Sequence, residues 1–333
     1  MSNSFILLVG LPGCGKSTWC KNQLGLGSDL KPDSEGLLFG AYKGDPAVII
    51  SSDALRESLG KDPGTGHIEV FAKMLEYTKY YLTQEYTVFY DATNMSRKHR
   101  MALLQSISKY PGKRLCVLFI EPVDICKARD KEREPKWVVG ADVIHHMLCS
   151  FNVPMLYEGF DAIYVLRSSL LDSEVLNNWL DQMKGFDQEN SHHTLDLYNH
   201  SVKVQEYVKS HLTDISDDSV VPYLLKAALY HDLGKLWTKQ FFNAKAEKTT
   251  EAHYYNHEHV GAYRYLEGSV KPMEVLDSAA TYYDDLFVAS LIDWHMRRYQ
   301  TLSERKRNHE QEMLKGVFSE CLDLLHAADK AAH

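Results

Sequence analysis

The chain has 333 residues, of which 44 % are hydrophobic and 25 % are charged, with a formal net charge of −8. This is the composition of an ordinary soluble protein, and the length suffices for about two domains. The apolar run 5–9 is too short for a secretory segment, and no later run approaches the roughly 18 apolar residues that cross a membrane. Six cysteines without a C-x-x-C pair argue against a disulfide framework and against a zinc cluster. We therefore expect a cytoplasmic protein with no membrane partner.

A phosphate-binding loop follows the first apolar run. The sequence GLPGCGKSTW at 10–19 fits the pattern G-x-x-x-x-G-K-[ST], and the residues after it can continue as a helix. Backbone N–H groups and the helix N-terminus would then converge on the phosphates of ATP or another nucleoside triphosphate. Lys16 is expected to reach the β- and γ-phosphates, and the Ser17 hydroxyl to bind Mg²⁺. The nucleotide-binding residues predicted in the loop are Gly10, Gly13, Cys14, Gly15, Lys16, Ser17 and Thr18.

Short β-rich runs alternate with helical stretches in the first half of the chain. These runs lie at 5–9, 47–52, 86–90, 115–120 and 162–166. Continuous apolar strands that alternate with helices predict a parallel α/β sheet, whose ligands bind at the carboxyl ends of the strands. We therefore expect an α/β P-loop kinase domain, a parallel sheet with flanking helices, with its active residues at those strand ends.

Charged and polar residues follow two of these strands. Asp53 and Arg56 come after the second strand on one helix face, where the carboxylate could accept a hydroxyl proton and the arginine could clamp a phosphate. Taken alone, an aspartate such as Asp53 at this position is more often a helix N-cap than a catalytic base. The candidate substrate contacts after the third strand are Asp91, Thr93, Asn94 and Arg97. Residues 97–136 hold 11 Lys and Arg against 5 Asp and Glu, a basic segment that fits either a polyanion or a solvated helix face.

Together these motifs resemble the 5′-OH polynucleotide kinase domain of nucleic-acid end-healing enzymes, over residues 4–166. The matching motifs are GLPGCGKSTW at 10–19, DALR at 53–56, DATN at 91–94, Arg129 with Arg133, and FNVP at 151–154. The resemblance implies that Asp53 is the general base for the 5′-hydroxyl and that Arg56 contacts substrate phosphate. It also implies that Arg133 is the lid arginine that stabilises the transferring phosphoryl group, with Arg129 as an auxiliary lid residue that binds the nucleotide.

The second half of the chain is rich in histidine, with 12 of the 16 histidines after residue 185. A His-Asp pair at 231–232 ends a predicted helix with an apolar stripe, and the other candidates also lie on helical stretches. The candidate metal ligands are His200, His231, Asp232, His257, His295 and Asp329. Imidazole and carboxylate ligands suit divalent Mn, Fe, Co, Ni or Zn, and two such ions can catalyse hydrolysis of a phosphoester.

The order of these six residues resembles the HD superfamily of metal-dependent phosphohydrolases, over about 190–333. The resemblance implies one metal held by four ligands and a second held by two histidines, with Asp232 as the catalytically essential bridge. The first set is His200, His231, Asp232 and Asp329, and the second is Asp232, His257 and His295. Lys235 and His193 are candidate phosphate contacts. Whether one or two ions bind stays open.

Two domains are predicted, with a boundary in the polar run near residue 185. A P-loop polynucleotide kinase domain would occupy 1–184, and an all-α HD domain would occupy 185–333. The glycine-rich stretch 25–46 is longer than the kinase resemblance requires, and the sequence assigns it no role.

The two predicted activities add phosphate from a triphosphate and remove it with metal ions, and one substrate explains both. RNA cut by a transesterifying nuclease carries a 2′,3′-cyclic phosphate on one side and a 5′-hydroxyl on the other. A 5′-kinase joined to a 2′,3′-cyclic phosphodiesterase or 3′-phosphatase would heal both ends. The predicted partners are therefore RNA or DNA ends and a separate nucleic-acid ligase, and a homo-oligomer stays open. The pair resembles bacterial fusions of these modules, although the kinase-first order differs from them.

Two alternatives remain at the level of sequence. The first is a small-molecule nucleoside or nucleotide kinase fused to an HD nucleotidase or dNTP hydrolase. The second is a kinase with a regulatory, catalytically inert HD module. The DALR and DATN motifs and the basic segment favour polynucleotide ends over the first alternative, and six intact ligand positions argue against the second.

Overall fold

A computed structural model describes most of the chain, which divides into two compact units near residue 170. The described residues are 3–27, 29–62, 64–170, 172–190, 194–271, 283–300, 303–314 and 316–332. Residues up to 170 form most of the first unit, while those after it form most of the second, together with 149–153. Among the described residues, no helix combines the length and the apolar character needed to cross a membrane.

The first unit is built on a six-stranded sheet with the order β2-β3-β4-β1-β5-β6. Its strands are β1 (Ser4–Val9), β2 (Leu37–Tyr42), β3 (Asp45–Ser51), β4 (Thr87–Asp91), β5 (Lys113–Phe119) and β6 (Ala162–Leu166). All neighbouring strands pair in parallel except β2 and β3, which are antiparallel. The helices are α1 (Lys16–Gln23), α2 (Ser52–Ser58), α3 (His67–Thr83), α4 (Arg97–Ser106), α5 (Val123–Lys131) and α6 (Ala141–Cys149). The prediction of a parallel sheet with flanking helices is confirmed.

The position of β1 explains its uninterrupted apolar run. It lies between β4 and β5, and residues 6–9 have no exposed surface. A strand covered on both faces must be apolar at every position, not only at alternate ones. Because β1, β3 and β4 run in parallel, the segments that follow them all emerge at one edge of the sheet, where the phosphate-binding loop lies.

The glycine-rich stretch 25–46, which the sequence left without a role, contains an edge strand. Tyr42 pairs with Asp45, so Lys43 and Gly44 form a two-residue hairpin loop with φ of 53° and 90°. Two-residue hairpins favour such left-handed backbone, and glycine adopts it without a steric cost. The stretch therefore adds β2 to the sheet through a local turn, in a part of the sequence with no alternating apolar pattern.

The second unit is helical, as predicted for an HD domain. Its helices are α7 (Val175–Met183), α8 (Leu197–Ser210), α9 (Val221–Tyr230), α10 (Lys235–Thr238), α11 (His257–Ser269), α12 (Tyr283–Trp294), α13 (Glu304–Met313) and α14 (Val317–Ala331). It also contains a hairpin that the sequence analysis missed, formed by β7 (Gln240–Phe242) and β8 (Lys248–His253). The second unit is thus helical with one two-stranded addition.

The predicted boundary at residue 185 lies too late, because α7 belongs to the second unit. Trp179 of α7 packs edge-on against Trp237 with ring centroids 5.2 Å apart. A Cβ at Gly268 in α11 would lie 2.5 Å from the Leu176 side chain, so α7 packs closely against α11 at this glycine. The polar run at 184–190 is therefore a connection inside the second unit.

Candidate functional sites

The phosphate-binding loop of the first unit is braced by its own lysine. Lys16 is the first residue of α1, is buried, and donates from Nζ to the carbonyls of Gly10 at 2.9 Å and Leu11 at 2.8 Å. A Cβ at Gly13 would lie 2.5 Å from the Cys126 carbonyl oxygen, so the loop backbone needs glycine there. The Lys16 ammonium therefore lies inside the curve of the loop, where the phosphates of a nucleotide bind in P-loop proteins.

Two further loop residues have different environments. Cys14 is buried with its Sγ 3.4 Å from Lys16 Nζ, and burial raises the pKa of its thiol although Lys16 acts in the opposite direction. Thr18 is exposed on the first turn of α1. Cys14 is thus a small neutral residue packed against the lysine, and Thr18 is accessible to a ligand.

Asp91 at the end of β4 contacts the predicted Mg²⁺ ligand of the loop. The Ser17 hydroxyl donates to Asp91 Oδ2 at 2.6 Å. Asp91 is buried, which raises its pKa, while Lys16 and Ser17 favour the ionised form. The contact with Ser17 puts Asp91 next to the residue predicted to bind Mg²⁺, and the role of Asp91 in substrate binding stays a prediction. A serine hydroxyl and a carboxylate at a neighbouring strand end are the protein ligands that P-loop proteins offer to Mg²⁺.

Asp53 lies between two arginines after β3. Its Oδ1 accepts from Arg56 Nη1 at 3.0 Å, and its Oδ2 accepts from Arg133 Nη2 at 3.0 Å. The side chain of Asp53 is 47 % exposed, so a substrate hydroxyl can reach the carboxylate. The N-cap interpretation is wrong, because α2 is capped at Ser51 and Asp53 makes no capping bond. The structure therefore brings together three of the predicted catalytic residues.

Hydrogen bonds and an ion pair hold the segment that carries Arg129 and Arg133 in the first unit. Arg129 donates to the Gly13 carbonyl at 3.5 Å, so it lies against the phosphate-binding loop. Asp130 is buried and accepts from the Gly140 N–H at 2.9 Å, which holds the turn after α5. Arg133 Nη1 lies 3.6 Å from Asp130 Oδ1. These contacts fix both arginines near the loop, as a lid role requires.

The remaining predicted substrate contacts of the first unit form hydrogen bonds or ion pairs within that unit. Asn94 has a left-handed backbone with φ of 47° and donates to the Leu8 carbonyl at 2.7 Å. The Thr93 carbonyl accepts from the Gly10 N–H at 3.0 Å. Arg97 Nε lies 3.6 Å from Glu158 Oε1. The DATN segment thus supports the phosphate-binding loop, and its role in substrate binding stays a prediction.

The basic segment 97–136 exposes less positive charge than its sequence suggests. Arg100 is 1 % exposed and forms two 2.7 Å hydrogen bonds with the buried Glu158. It also donates to the carbonyls of Asn94 and Met95, at 3.1 and 2.9 Å. The interpretation of Arg100 as part of a surface charge patch is therefore wrong, because its charge is neutralised inside the unit.

The six predicted metal ligands of the second unit converge on one place. His200 lies in α8 and Asp329 in α14, while His231 and Asp232 follow α9. His200 Nε2 lies 3.1 Å from Asp329 Oδ1 and 3.5 Å from Asp232 Oδ2. His231 Nε2 lies 3.3 Å from the same Asp232 oxygen. His200, His231 and Asp232 therefore offer ligand atoms within 4.8 Å of one another.

A second group of ligand atoms shares Asp232. His257 is the first residue of α11, and its Nε2 lies 3.1 Å from Asp232 Oδ1 and 3.2 Å from His295 Nε2. A Cβ at Gly234 would collide with the His257 carbonyl, so the glycine after Asp232 permits this close approach. The two oxygens of Asp232 thus face two different groups of histidines, as the bridging role predicted from the sequence requires.

The backbone sets the orientation of three of these imidazoles. In each of them Nδ1 lies within hydrogen-bond distance of the carbonyl oxygen three residues earlier in the chain. The pairs are His231 with Ala228 at 2.9 Å, His257 with Tyr254 at 2.7 Å, and His295 with Ile292 at 2.7 Å. Such bonds fix the tautomer and direct the Nε2 lone pair to the site, as in known metal centres.

The charges in this cluster suit a cation. Burial disfavours the ionised form of Asp232, but Lys235 and His231 outweigh it and hold its pKa well below the usual range. Burial and the neighbouring histidines lower the pKa of His295 to about 3, so its imidazole is neutral. Burial likewise disfavours the charged form of His231, but Asp232 and Asp329 raise its pKa to about 10. Two ionised carboxylates among four buried imidazoles are a metal-binding donor set.

The residues present fit a bound metal. His231 Nε2 is buried and makes no hydrogen bond of acceptable geometry among the described residues. Within the described ranges, its proton is held only by two carboxylates at 3.3 and 3.6 Å, and a divalent ion between these groups would replace that proton and bind the Nε2 lone pair. His200, His231 and Asp232, with Asp329 beside them, would provide such an ion with up to four protein ligands.

Two candidate phosphate contacts of the second unit have different outcomes. Lys235 is buried, and its Nζ lies 2.7 Å from Asp232 Oδ2 and donates to Gln188 Oε1 at 2.8 Å. It therefore lies at the metal site, where a phosphate can be reached. His193 lies outside the described residues.

A cavity of about 340 Å³ opens beside the metal ligands. Its lining includes Asp232, Lys235, His257 and Asp329. It also includes aromatic side chains that the sequence analysis missed, among them Tyr254, Tyr255 and Tyr299. The Tyr299 hydroxyl donates to Asp329 Oδ2 at 2.8 Å. Its position four residues after His295 was the only signal for it in the sequence.

The FNVP segment, part of the kinase resemblance, lies largely in the second unit. Asn152 Nδ2 lies 3.3 Å from both Asp293 Oδ1 and His259 Nδ1. Phe151 packs edge-on against Tyr263 at 5.2 Å. The segment therefore packs against residues of the second unit, and the structure assigns it no contact with the phosphate-binding loop among the described residues.

Bound metal is expected to stabilise the second unit against heating. An ion that binds only the folded state, at about 100 times its Kd, contributes about 2.7 kcal/mol, which raises Tm by roughly 5 to 10 °C for a domain of this size. Calorimetry before and after chelation, followed by Mn²⁺ or Ni²⁺, measures this. His211→Ala, at an imidazole that stacks on Tyr207 outside the site, should keep the shift. An unchanged Tm in the parent protein would contradict the metal site.

Two different protein-family models match the two halves of the chain. Residues 5–154 match the model of a family described as AAA domain, and residues 197–330 match the model of the HD domain. No curated protein matches the chain. A kinase candidate from Chloroflexus aurantiacus J-10-fl is 13 % identical, with a TM-score of 0.36, over 55 % of this chain and 98 % of that one. A fungal RNA kinase is 14 % identical, with a TM-score of 0.28, over 69 % of this chain and 50 % of that one.

The fold, the loop and the His/Asp cluster therefore define the class of this protein. It carries a P-loop kinase-like domain followed by a helical HD domain, as the sequence motifs predicted. The similarity to these two solved structures is too low to indicate a substrate. The residues of the two sites are the features that bear on it.

Proposed function

We propose that the chain is a bifunctional nucleic-acid end-healing enzyme. Its first domain would transfer phosphate from ATP to a 5′-hydroxyl end, and its second would hydrolyse a 2′,3′-cyclic or 3′-phosphate end. The observation that supports this most strongly is the presence on one chain of an accessible carboxylate beside a phosphate-binding loop and a separate His/Asp cluster with two groups of metal ligands.

The environment of Asp53 suits a general base in the first domain. Its half-exposed carboxylate would accept the proton of the 5′-hydroxyl as the oxygen attacks the γ-phosphorus and the bond to ADP breaks. Arg133 would then stabilise negative charge on the transferring phosphoryl group, while Arg56 would bind the phosphate next to the accepting nucleoside. Both arginines contact Asp53 at 3.0 Å, so base and cations are already adjacent.

The nucleotide would be held by the loop on the other side of the reaction. Lys16 would bind the β- and γ-phosphates, and Ser17 with Asp91 would hold Mg²⁺. Arg129, which contacts the Gly13 carbonyl, would lie beside the same phosphates. These residues would place positive charge around the phosphates of the nucleotide. The acceptor hydroxyl would approach those phosphates from the side on which Asp53 lies.

In the second domain, the six ligands would hold one or two divalent ions, of which Mn, Fe, Co, Ni and Zn suit the donors. Such ions supply positive charge for a phosphoester and activate water for attack. Asp232 orients both groups of ligands, and Lys235 places an ammonium at the same edge of the site. Addition of water across one P–O bond opens a 2′,3′-cyclic phosphate to a monoester, and a second hydrolysis releases phosphate and leaves a diol.

The full chain tests this proposal directly. It should phosphorylate a 5′-hydroxyl oligonucleotide with ATP and Mg²⁺, and it should hydrolyse a 2′,3′-cyclic phosphate end with Mn²⁺ or Ni²⁺. Product ends are measured by gel mobility and released phosphate. Phosphorylation of free nucleosides in preference to oligonucleotides would return the function to nucleotide metabolism, and no hydrolysis with any of the metals would favour an inert HD module.

A polynucleotide acceptor also predicts a particular salt dependence of the kinase. Each phosphate of a single strand that the protein neutralises lowers log K by about 0.7 for each tenfold rise in salt. Three such contacts would raise the KM for an oligonucleotide roughly 20-fold between 50 and 200 mM salt. The KM for a free nucleoside acceptor, measured over the same range, is the control. Equal salt dependence for the two acceptors would contradict contacts with the strand.

A further inference from the structure

The cavity beside the HD-domain ligands is lined by two kinds of residue. Asp232, His257 and Asp329 belong to the candidate metal ligands, beside which the phosphate would bind. The end of β8 and the residues after it add His253, Tyr254 and Tyr255 to the lining. The metal ligands explain the first kind, but the phosphate chemistry does not require the aromatic residues.

Two of the tyrosines that line the cavity form contacts that explain their positions. The Tyr254 hydroxyl donates to the Gln188 carbonyl at 2.7 Å, and Lys235 Nζ lies 5.4 Å from the centre of its ring. The Tyr299 hydroxyl donates to Asp329. These contacts position the lysine and the carboxylate, so neither ring needs a further ligand to explain it.

Tyr255 has no such role among the described residues. Its side chain is 39 % exposed, and its ring lies parallel to that of His253, with 5.5 Å between centroids and 10° between planes. Both rings line the cavity. The two rings therefore stack on each other in the lining of the cavity, and a planar group that lies on an open ring face would extend the stack.

The size of the cavity limits what can bind in it. At about 340 Å³, it falls at the lower end of the range for small-molecule sites. That volume is far larger than one phosphate group needs and suits a single nucleotide. A nucleotide carries a phosphate and a planar base, which matches a lining that contains both metal ligands and aromatic rings.

We infer that Tyr255 and His253 form a base-stacking subsite for the terminal nucleoside whose phosphate is hydrolysed. This inference rests on the proposed function of the HD domain and extends it to the substrate: the site takes a nucleoside phosphate, not a phosphoester of any kind. Stacking tolerates every base because each base has a π-face. The subsite therefore selects for the presence of a base and discriminates little among bases.

The experiment compares two cyclic phosphates that differ in the base. Adenosine 2′,3′-cyclic phosphate carries one, and glycerol 1,2-cyclic phosphate has the same reacting ring without it. Tyr255→Ala is expected to raise the KM for the adenosine ester roughly 5- to 150-fold, the loss that removal of one stacked aromatic produces. Hydrolysis of the glycerol ester by the same variant should be unchanged, which also shows that the variant folds.

Two further variants separate stacking from other effects. Tyr255→Phe keeps the ring and should retain the parent KM. Phe242→Ala removes an exposed ring from β7 of the same hairpin, outside the cavity lining, and should also behave as the parent. The inference is wrong if Tyr255→Ala lowers activity equally on both esters, or on neither.

A binding measurement with ligands that cannot be hydrolysed decides the question without turnover. Calorimetric titration of the metal-loaded full chain uses the phosphonate analogues of 3′-AMP and of glycerol phosphate, whose P–C bond resists hydrolysis. The 3′-AMP analogue should bind more tightly, and Tyr255→Ala should remove that difference. If the parent hydrolyses neither ester, the proposed function fails, and the titration still tests the subsite. Equal affinity for the two ligands in the parent would overturn the inference.

Discussion

Asp232→Asn is expected to eliminate metal binding and 3′-end hydrolysis together, while 5′-phosphorylation continues at the parent rate. One oxygen of Asp232 faces His200 and His231, and the other faces His257 and His295, so its charge is shared by both groups of ligands. Loss of an outer partner of a ligand already costs roughly 10- to 100-fold in metal affinity or activity. Loss of the bridging carboxylate itself should cost more than that.

The reciprocal variant is Lys16→Ala, which should remove phosphoryl transfer and leave the hydrolysis intact. Lys16 donates hydrogen bonds to carbonyls of its own loop, and each unit has its own core. Metal content by elemental analysis, 5′-phosphorylation and 3′-end hydrolysis are measured on the same preparations. Asp218→Asn provides the control for charge, because Asp218 is exposed. Full hydrolysis by Asp232→Asn, or its loss in Lys16→Ala, would show that the two sites are not independent.

Asp53→Ala and Arg133→Ala should each abolish most of the kinase turnover without loss of the fold. Removal of a positioned general base commonly costs about 10²- to 10⁴-fold, and removal of an arginine that stabilises the transferring phosphoryl group costs about 10³-fold or more. Asp53 is half-exposed and Arg133 is 30 % exposed, so neither substitution leaves a cavity in the core. The effect should appear in kcat, because both groups act on the reacting atoms.

The controls for this pair come from the same region of the first unit. Asp124→Ala removes an exposed carboxylate from the first turn of α5 and should leave kcat unchanged. Circular dichroism and HD-domain hydrolysis report whether the variants are folded. Near-parent phosphorylation by either Asp53→Ala or Arg133→Ala would rule out the assigned role of that residue.

Arg100 shows how a surface role inferred from sequence can fail. Four basic or titratable residues in a row at 97–100 are typical of a solvated or phosphate-binding face. In the structure the last of them, Arg100, lies under that face and pairs with Glu158, which is 58 positions away. A local charge count cannot identify such a pair, because the neutralising carboxylate belongs to a distant part of the chain. The same limit applies to Asp91, whose partner Ser17 is 74 positions away.

The two classes of site were nevertheless legible in the sequence. The phosphate-binding loop is a continuous segment in which glycines, a lysine and a serine have fixed spacing, because one turn between a strand and a helix must wrap a phosphate. The strands around it could be read because buried parallel strands are apolar throughout. The six HD ligands were found as a set because they lie on or directly after helical stretches, with His231 and Asp232 adjacent, in an order that resembles the superfamily.

What the sequence alone determined, then, is the chemistry that is encoded locally: a loop for a triphosphate, a parallel sheet, helices, and a set of imidazoles and carboxylates suited to metal. Tertiary structure decided which of these residues meet. It placed Asp53 between Arg56 and Arg133, directed the two oxygens of Asp232 to different histidines, turned 25–46 into an edge strand, and moved α7 into the second unit. These outcomes depend on contacts between residues far apart in the chain, where helix and strand periodicity carries no information about partners.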